Sequence, residues 1–272
     1  MGAEGLSITS WNVNGIRARA ERLAALIERS TPDVLLLQET KCNPEQVPAD
    51  LFEAHGYQWA AIGSGGRNGV LIASRVGLEA PVLGLPAASI QAADPVQSND
   101  PDLSDDPRFI SARCAGIQIA SVYVPNGREV DSGYWRAKLR WMQALTHWSR
   151  ASLAAAPLVL GGDFNLAPTD RDVWDAAALA GATHVSPEER TALQAVLNVG
   201  LVDTAVALTP LGAQPPFTWW DYRGGAFHRG HGMRIDHLFA SPSAGTLLSF
   251  AVDRDERKGT LPSDHAPITL VV

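Results

Sequence analysis

Apolar residues recur along this chain in two rhythms. Short, nearly unbroken runs at Leu6–Trp11, Val34–Gln38, Val70–Ala73, Ile110–Ala112, Ile117–Val124, Pro157–Gly161, Ile235–Ala240 and Ile268–Val271 have the length of strands. The least interrupted of them, Asp33 to Gln38, reads as a strand covered on both faces. A weaker run near Leu247–Val252 joins the set. Longer stretches repeat at helical spacing. Leu23, Leu26 and Ile27 mark one helix between the first two strands. Ser132–Leu153 is the longest, with Trp135, Leu139, Met142 and Leu145 on one apolar stripe. Glu188–Val199 is a third, with Ser186 as N-cap, Pro187 at its first position and Gly200 at its end. Asn43–His55 is a weaker helical candidate. The stretch from Gly84 to Pro107, rich in Pro, Ala, Asp and Ser, reads mostly as a surface loop.

Strands and helices alternate, but several strands lie close enough in sequence to pair antiparallel. The expected class is therefore α/β with two packed mixed β-sheets and outer helices, in preference to one doubly wound parallel sheet. Polar segments from both ends of the chain contribute to the same candidate chemistry, and no linker or internal repeat is visible. One domain over residues 1–272 is the expectation.

At 272 residues, a compact chain buries roughly 75% of its unfolded surface and needs no staples. No apolar run reaches the ~20 residues that span a bilayer, and no membrane association is expected. Strand-like sequence begins almost at once, without a charged lead or apolar signal core. Cys42 and Cys114 are too few for a disulfide framework. A reduced, cytoplasmic setting and a monomer are the expectations. The net charge of −7 runs against general affinity for a polyanion. Much of it is local, however: Asp94, Asp100, Asp102, Asp105 and Asp106 fall in residues 91–107, which hold no Lys or Arg. A bound divalent cation would also add positive charge that the count omits.

Against this frame, five polar segments stand beside apolar runs: Trp11-Asn12-Val13-Asn14, Gln38-Glu39-Thr40, Gly162-Asp163-Phe164-Asn165, Arg234-Ile235-Asp236-His237 and Ser263-Asp264-His265. Together they carry the groups that metal-assisted phosphodiester hydrolysis requires. Glu39, at the end of an apolar strand, is the first-choice metal ligand, with Asn14 and Asp264 completing the shell directly or through water. Alone, Glu39 would read as a surface carboxylate. Asp163 and Asn165 are two apart, so on extended backbone they face the same way. Asp163 could take a proton from the attacking water while the Asn165 amide holds a substrate oxygen or that water; a simple turn competes with this reading. His265 would contact the phosphate as an imidazolium, with Asp236 raising its pKa and fixing its tautomer. Tyr123, before Pro125-Asn126-Gly127, could donate its hydroxyl to the same phosphate, although a strand-end aromatic is the commoner fate of such a Tyr. Asn12 would orient Asp163. The segment Phe217–Arg234 interleaves Trp219, Trp220, Tyr222, Phe227, His228, Arg229, His231 and Arg234, a mixture suited to an opened nucleotide. Arg17, Arg19, Arg67 and Arg128 are further candidates for phosphate contact, set against the default of a solvated surface.

Taken in order, Ser10–Arg19, Leu37-Gln38-Glu39-Thr40-Lys41, Tyr123–Gly127, Gly161–Asp170, Ser186–Arg190, Gly200–Asp203, Phe217–Tyr222, Arg234–His237 and Ser263–Pro267 resemble the exonuclease III type of AP endonuclease, within the endonuclease/exonuclease/phosphatase superfamily. The resemblance covers essentially the whole chain. It implies a four-layered sandwich with the active site at one end. It also implies a Mg2+-dependent phosphodiesterase (Mn2+ is an alternative) acting on duplex DNA with abasic or blocked 3′ ends. Incision would fall 5′ to an abasic site, with 3′→5′ exonuclease and 3′-phosphatase activities added. By position, Glu39 falls on the family's metal ligand, Asp163 and Asn165 on its catalytic pair, and Asp236 and His265 on its carboxylate-supported imidazole. Asn12, Tyr123 and Asp264 also fall on active-site positions. Trp219 falls beside the abasic sugar, leaving Trp220 for the core. Arg17, Arg128, Arg229 and Arg234 complete the candidate DNA-binding set. The shared site leaves two other readings open: a superfamily phosphodiesterase or phosphatase acting on RNA, a lipid headgroup or a small molecule, and a non-catalytic nucleic-acid-binding relative. The acidic 91–107 segment departs from the pattern, and near the DNA face it would weaken duplex binding.

Overall fold

The computed structural model describes residues 5–272. Its first sheet contains Ser7–Asn12 (β1), Val34–Gln38 (β2), Gln58–Ile62 (β3), Val70–Ser74 (β4), Ser249–Val252 (β13) and Ile268–Val271 (β14), in the order β13-β14-β1-β2-β4-β3. The second contains Glu79–Leu83 (β5), Phe109–Cys114 (β6), Ile117–Tyr123 (β7), Leu158–Asp163 (β8), Val202–Asp203 (β9) and Asp236–Ala240 (β12), in the order β5-β6-β7-β8-β12-β9. A two-stranded ribbon pairs Trp219–Trp220 (β10) with Gly232–Met233 (β11). Both sheets are mixed: β1–β2 and β7–β8 are parallel, and their other pairings are antiparallel.

Side-chain alternation explains why the central strands are apolar throughout. In β2, Val34 and Leu36 point into the space between the sheets, where they meet Ile119, Val159 and Leu238 of the second sheet. Leu35 and Leu37 point the other way, onto Leu23, Leu26 and Ile27 of helix α1 (Ala20–Ser30) and Phe52 of α2 (Ala49–Glu53). The second sheet repeats the arrangement. Ala120, Leu160 and Phe239 face helices α4 (Gly133–Ala155) and α5 (Pro187–Leu197), beyond the short α3 (Ala87–Gln91). The result is the expected helix–sheet–sheet–helix sandwich. Two further short helices, α6 (Thr204–Leu208) and α7 (Ala226–Arg229), lie in the connections between strands. Among the described residues, no helix is long and apolar enough to cross a membrane.

Several local expectations change. Asn43–His55 is a 3-10 turn over Pro44–Gln46 followed by the short α2, because Pro48 interrupts any continuous helix. The edge strands β3 and β5 lack a strongly apolar run; β5 is exposed along its whole length. On α4, Leu139 is only half-buried, and the fully buried residue at that level is Lys138. The 84–107 segment is a loop apart from α3. Part of its acidity is neutralised by neighbouring segments: Asp100 is clamped by Arg136 and Arg140 and Asp106 pairs with Arg108, while Asp94 is bonded to the neutral Gln143 amide.

Strand β8 passes through the centre of the molecule on Gly161 and Gly162. A Cβ on Gly161 would come within 2.7 Å of Leu36 and 2.6 Å of Leu238, side chains from the two sheets. Gly162 has φ +148°, and a Cβ there would lie 1.9 Å from the Val122 carbonyl oxygen. Gly162→Ala therefore forces β7 and β8 apart at the end that carries Asp163. It should destabilise the fold by about 3 kcal/mol or more, measured as a loss of unfolding free energy in urea. A change near zero would contradict the close packing.

Candidate active site

Strand register brings the polar segments to one end of the sandwich. In the second sheet, Tyr123, Asp163 and Asp236 are direct neighbours across β7, β8 and β12. In the first, Asn12 pairs with Gln38 at the ends of β1 and β2, and the chain then turns so that Glu39 faces the second sheet. The segment before β14 is tied to β1: the Ser263 hydroxyl donates to the Asn12 carbonyl at 2.7 Å, and the Trp11 indole donates to the His265 carbonyl at 3.1 Å. Glu39, Asp163 and His265 thereby place one ligand atom each within 4.8 Å of one another.

The buried Asn12 amide bridges the two sheets. Its nitrogen donates at 2.9 Å to both Glu39 Oε1 and Asp163 Oδ2. Asp163 Oδ1 accepts the backbone N–H of Asn165 at 2.8 Å, and the Asn165 amide donates to the Val124 carbonyl at 2.9 Å. His265 stands opposite, its Nε2 3.7 Å from Asp163 and its Nδ1 2.9 Å from Asp236. Asp236 is itself held by the Thr218 hydroxyl at 2.6 Å. Burial pushes the His265 imidazole towards neutrality. The charges of Asp236, Asp163 and Asp264 outweigh it and raise the pKa to about 10. Burial raises Asp163 to about 7, with the Asp236 charge adding to the shift and His265 and Asn12 opposing it. Burial together with the Glu39 and Asp163 charges lifts Tyr123 well above its ordinary value, so it stays an O–H donor.

Of the three residues nominated for a metal, Asn14 stands between the other two, reaching Glu39 through Lys41 and Asp264 directly. Burial alone would raise Glu39, but the Lys41 ammonium and the Asn12 amide hold its pKa below the ordinary value. Lys41 Nζ lies 2.8 Å from Glu39 Oε2 and 2.5 Å from Asn14 Oδ1. Two hard oxygens thus already converge on one cationic centre, which is the donor chemistry that Mg2+ or Mn2+ takes. Asn14 also donates to Asp264 at 2.8 Å, while Asp264 accepts the Trp219 indole N–H at 3.1 Å. The residues present fit a hard divalent ion.

The candidate DNA contacts divide. Trp219 is half-buried against His265, whereas Trp220 is core, packed edge-on against Phe227. Arg17, Arg67, Arg128 and Arg229 are exposed, and Arg128 stacks over Tyr134 at 3.5 Å. Arg19 is tied to Tyr222 and the Pro262 carbonyl. Arg234 is not a DNA contact. It is buried, pairing with Asp172 at 2.6 Å and Asp203 at 2.8 Å, and helps hold neutral His237 in the core. Its place in a loop of cations and aromatics gave it a surface reading; the carboxylates that claim it lie in distant segments. Thr218, Asn126, Lys138 and His184 also surround the site. Asn126, which donates to Asn165 at 3.1 Å, was signalled by its Pro-Asn-Gly turn. Lys138 carried no local signal, since on a helix it resembles any solvated lysine.

Residues 9–265 match the sequence profile of the endonuclease/exonuclease/phosphatase family. The chain belongs to that family. Within this metal-dependent family it is of the exonuclease III type. It is similar over nearly full length to exodeoxyribonuclease III of Haemophilus influenzae, at 29% identity over 97% of this chain and 98% of that protein. The 3′ phosphatase NExo from Neisseria, solved with a product DNA hairpin, is 37% identical with a TM-score of 0.88, covering 97% of this chain and 98% of that one. An AP endonuclease from Archaeoglobus fulgidus is 33% identical with a TM-score of 0.87, covering 98% of each chain. Like these relatives, the chain is a hydrolase.

Two measurements check the electrostatics. Folding raises the His265 pKa from 6.5 to about 10, so the contribution of its protonation to stability is fully present below 6.5 and is lost as pH climbs towards 10. Asp163 gains its carboxylate form as pH rises through about 7. Turnover should therefore follow a bell with limbs near these values, shared by the coupled pair. In Asp236→Asn the basic limb should move down by about one unit or more; an unmoved limb would contradict the assignment. Separately, Arg234→Ala strands the buried Asp172 and the partly buried Asp203 and should lower stability by about 3–5 kcal/mol, read by denaturant unfolding, with DNA affinity of the folded fraction unchanged. Weaker DNA binding at full stability would restore the surface reading.

Proposed function

We propose that this protein is a metal-dependent DNA repair phosphodiesterase. It hydrolyses the phosphodiester 5′ to an abasic site in duplex DNA and, by the same chemistry, removes nucleotides or phosphate from 3′ ends. The observation that carries this reading is the buried face-off of Asp163 and His265 at 3.7 Å, flanked by Asn12, Asn165, Tyr123 and Glu39.

In this reading the scissile phosphate lies between His265 and Tyr123. Their charge and hydroxyl meet its non-bridging oxygens as negative charge builds in the transition state. A water on the opposite side gives its proton to the Asp163 carboxylate, which Asn12 holds in place, and the Asn165 amide aims that water or a phosphate oxygen. Asp236 keeps His265 protonated and prevents its rotation. Glu39, with Asn14 and Asp264 at hand, would hold Mg2+ or Mn2+, which when bound supplies Lewis-acid neutralisation of phosphate and leaving-group oxygens. Trp219, fixed by Asp264, offers an apolar face for the abasic sugar, and Arg17, Arg128 and Arg229 are the proposed phosphate contacts. One chain supplies every group, so a monomer suffices. The proposed compartment is the cytoplasm, consistent with two free, buried thiols.

A second emphasis, on 3′-end processing, draws support from the higher identity to the Neisseria 3′ phosphatase than to the archaeal AP endonuclease. It uses the same groups. DNA is favoured over RNA, lipid or small-molecule phosphodiesters by the full-length similarity to DNA repair nucleases and by the aromatic ribbon beside the metal-side carboxylates. The intact catalytic set speaks against a pure binder.

A product gel comparing tetrahydrofuran, recessed 3′ and 3′-phosphate duplexes, with Mg2+ and with chelator, tests the reading. Metal-dependent product is expected, and intact DNA at high enzyme concentration would defeat it. Asp163→Asn removes the proton acceptor while nearly preserving shape. It should reduce turnover by roughly 100-fold or more with little change in DNA affinity, whereas equal losses in both would remove Asp163 from its role.

A further inference from the structure

Two charges lie at the heart of the α4–α5 interface and have no part in the chemistry above. Lys138 and Glu189 are both fully buried, with ammonium and carboxylate in direct contact. An apolar pair of similar volume would often serve the packing there at least as well. The charges therefore call for another explanation, and their contacts supply one.

Lys138 Nζ donates to the backbone carbonyl of Asn165 at 2.7 Å. His184 Nδ1 approaches the same oxygen at 2.5 Å. Burial and the Lys138 charge hold His184 down to about 4, so its ring is neutral and Nδ1 contributes its N–H. Both lone pairs of that carbonyl are thus engaged. Asn165 has φ +50°, a left-handed conformation that asparagine tolerates better than most non-glycine residues and that the bonds around it hold in place. Its N–H is taken by Asp163, and its side chain lies between Val124 and Asn126. The ammonium on its carbonyl closes the set.

Glu189 anchors that ammonium in turn. It is the N3 residue of the capping box that starts α5: Oε2 accepts from the Ser186 backbone N–H at 3.2 Å and hydroxyl at 2.8 Å, and Oε1 accepts from Thr183 at 2.9 Å. The start of a helix is thereby connected, through a buried charge pair, to the backbone of the residue beside Asp163.

We infer that Lys138 and Glu189 are positioning residues for turnover, fixing the Asn165 backbone so that its amide meets the reacting phosphate at the productive angle. The inference rests on the role proposed above for Asn165. The double variant Lys138→Met/Glu189→Gln tests it in the Mg2+-loaded enzyme on tetrahydrofuran duplex. Met preserves volume, and Gln preserves the helix cap. The expected result is a roughly ten- to hundred-fold fall in kcat, with KM and DNA Kd (by fluorescence anisotropy) within about two-fold of the parent. A kcat near the parent value, or a loss confined to KM, overturns it. Asn165→Ala separates the two failures. If that variant keeps parental kcat, the role of Asn165 falls and the positioning role with it. If it loses activity while the double variant does not, only the positioning role falls. A spectrum of 15N-lysine-labelled wild-type protein keeps the inference open to contradiction even if the double variant does not fold. Lys138 should appear as a slowly exchanging ammonium coupled to the Asn165 carbonyl, and a neutral amine or an uncoupled resonance overturns the inference.

Discussion

A protonated imidazole buried among carboxylates is the interaction on which this structure depends. His265 is almost fully covered, and desolvation alone would strip its proton. Asp236 on one ring nitrogen and Asp163 beyond the other reverse that preference. The carboxylates need the ring as much as the ring needs them. Without its charge, Asp163, Asp236 and Asp264 would crowd together in a low-dielectric cleft. Burial, helped by the Asp236 charge and opposed by the imidazolium, raises the Asp163 pKa to about 7, where a carboxylate is a stronger proton acceptor than in water.

That cluster needs both sheets. Strand register aligns Tyr123, Asp163 and Asp236 on the second sheet, while Asn12 and Glu39 come from the first. The Asn12 amide joins them by bonding a carboxylate from each side. Left-handed backbone at Asn14, Glu39, Lys41 and Asn165 turns each chain end towards the cleft. Strain of this kind persists where the surrounding packing over-determines it. Here the constraints include the glycine-lined passage of β8, the Ser263 and Trp11 bonds that fix the segment before β14, and the buried Lys138–Glu189 pair behind Asn165.

Much of this was legible in the sequence because the central strands announce themselves. A run such as Val34–Gln38 is apolar on both faces only when both faces are covered, and the polar residue that ends it is then delivered to a sheet end. The edge strands β3 and β5, with little apolar surface to hide, gave no such signal. Helix α5 was visible down to its cap because Ser186 and Pro187 carry a local mechanism, although the return bond from Glu189 that completes the cap was not read. Side chains whose partners are remote in sequence were not legible. Arg234 looked like a surface cation until Asp172 and Asp203 closed on it, and Lys138, which no motif singled out, is turned inward onto Asn165 by its helix. Local pattern shows what a residue can do; only the assembled fold shows which neighbour claims it.

The central claim is that His265 is an imidazolium at working pH because of its carboxylate neighbours. The most direct test is the 15N NMR spectrum of the histidine-labelled enzyme at pH 8. Both ring nitrogens of His265 should carry protons, with the Nδ1 proton shifted far downfield by its bond to Asp236. A neutral ring titrating near 6.5, with one nitrogen bare at pH 8, would contradict the account.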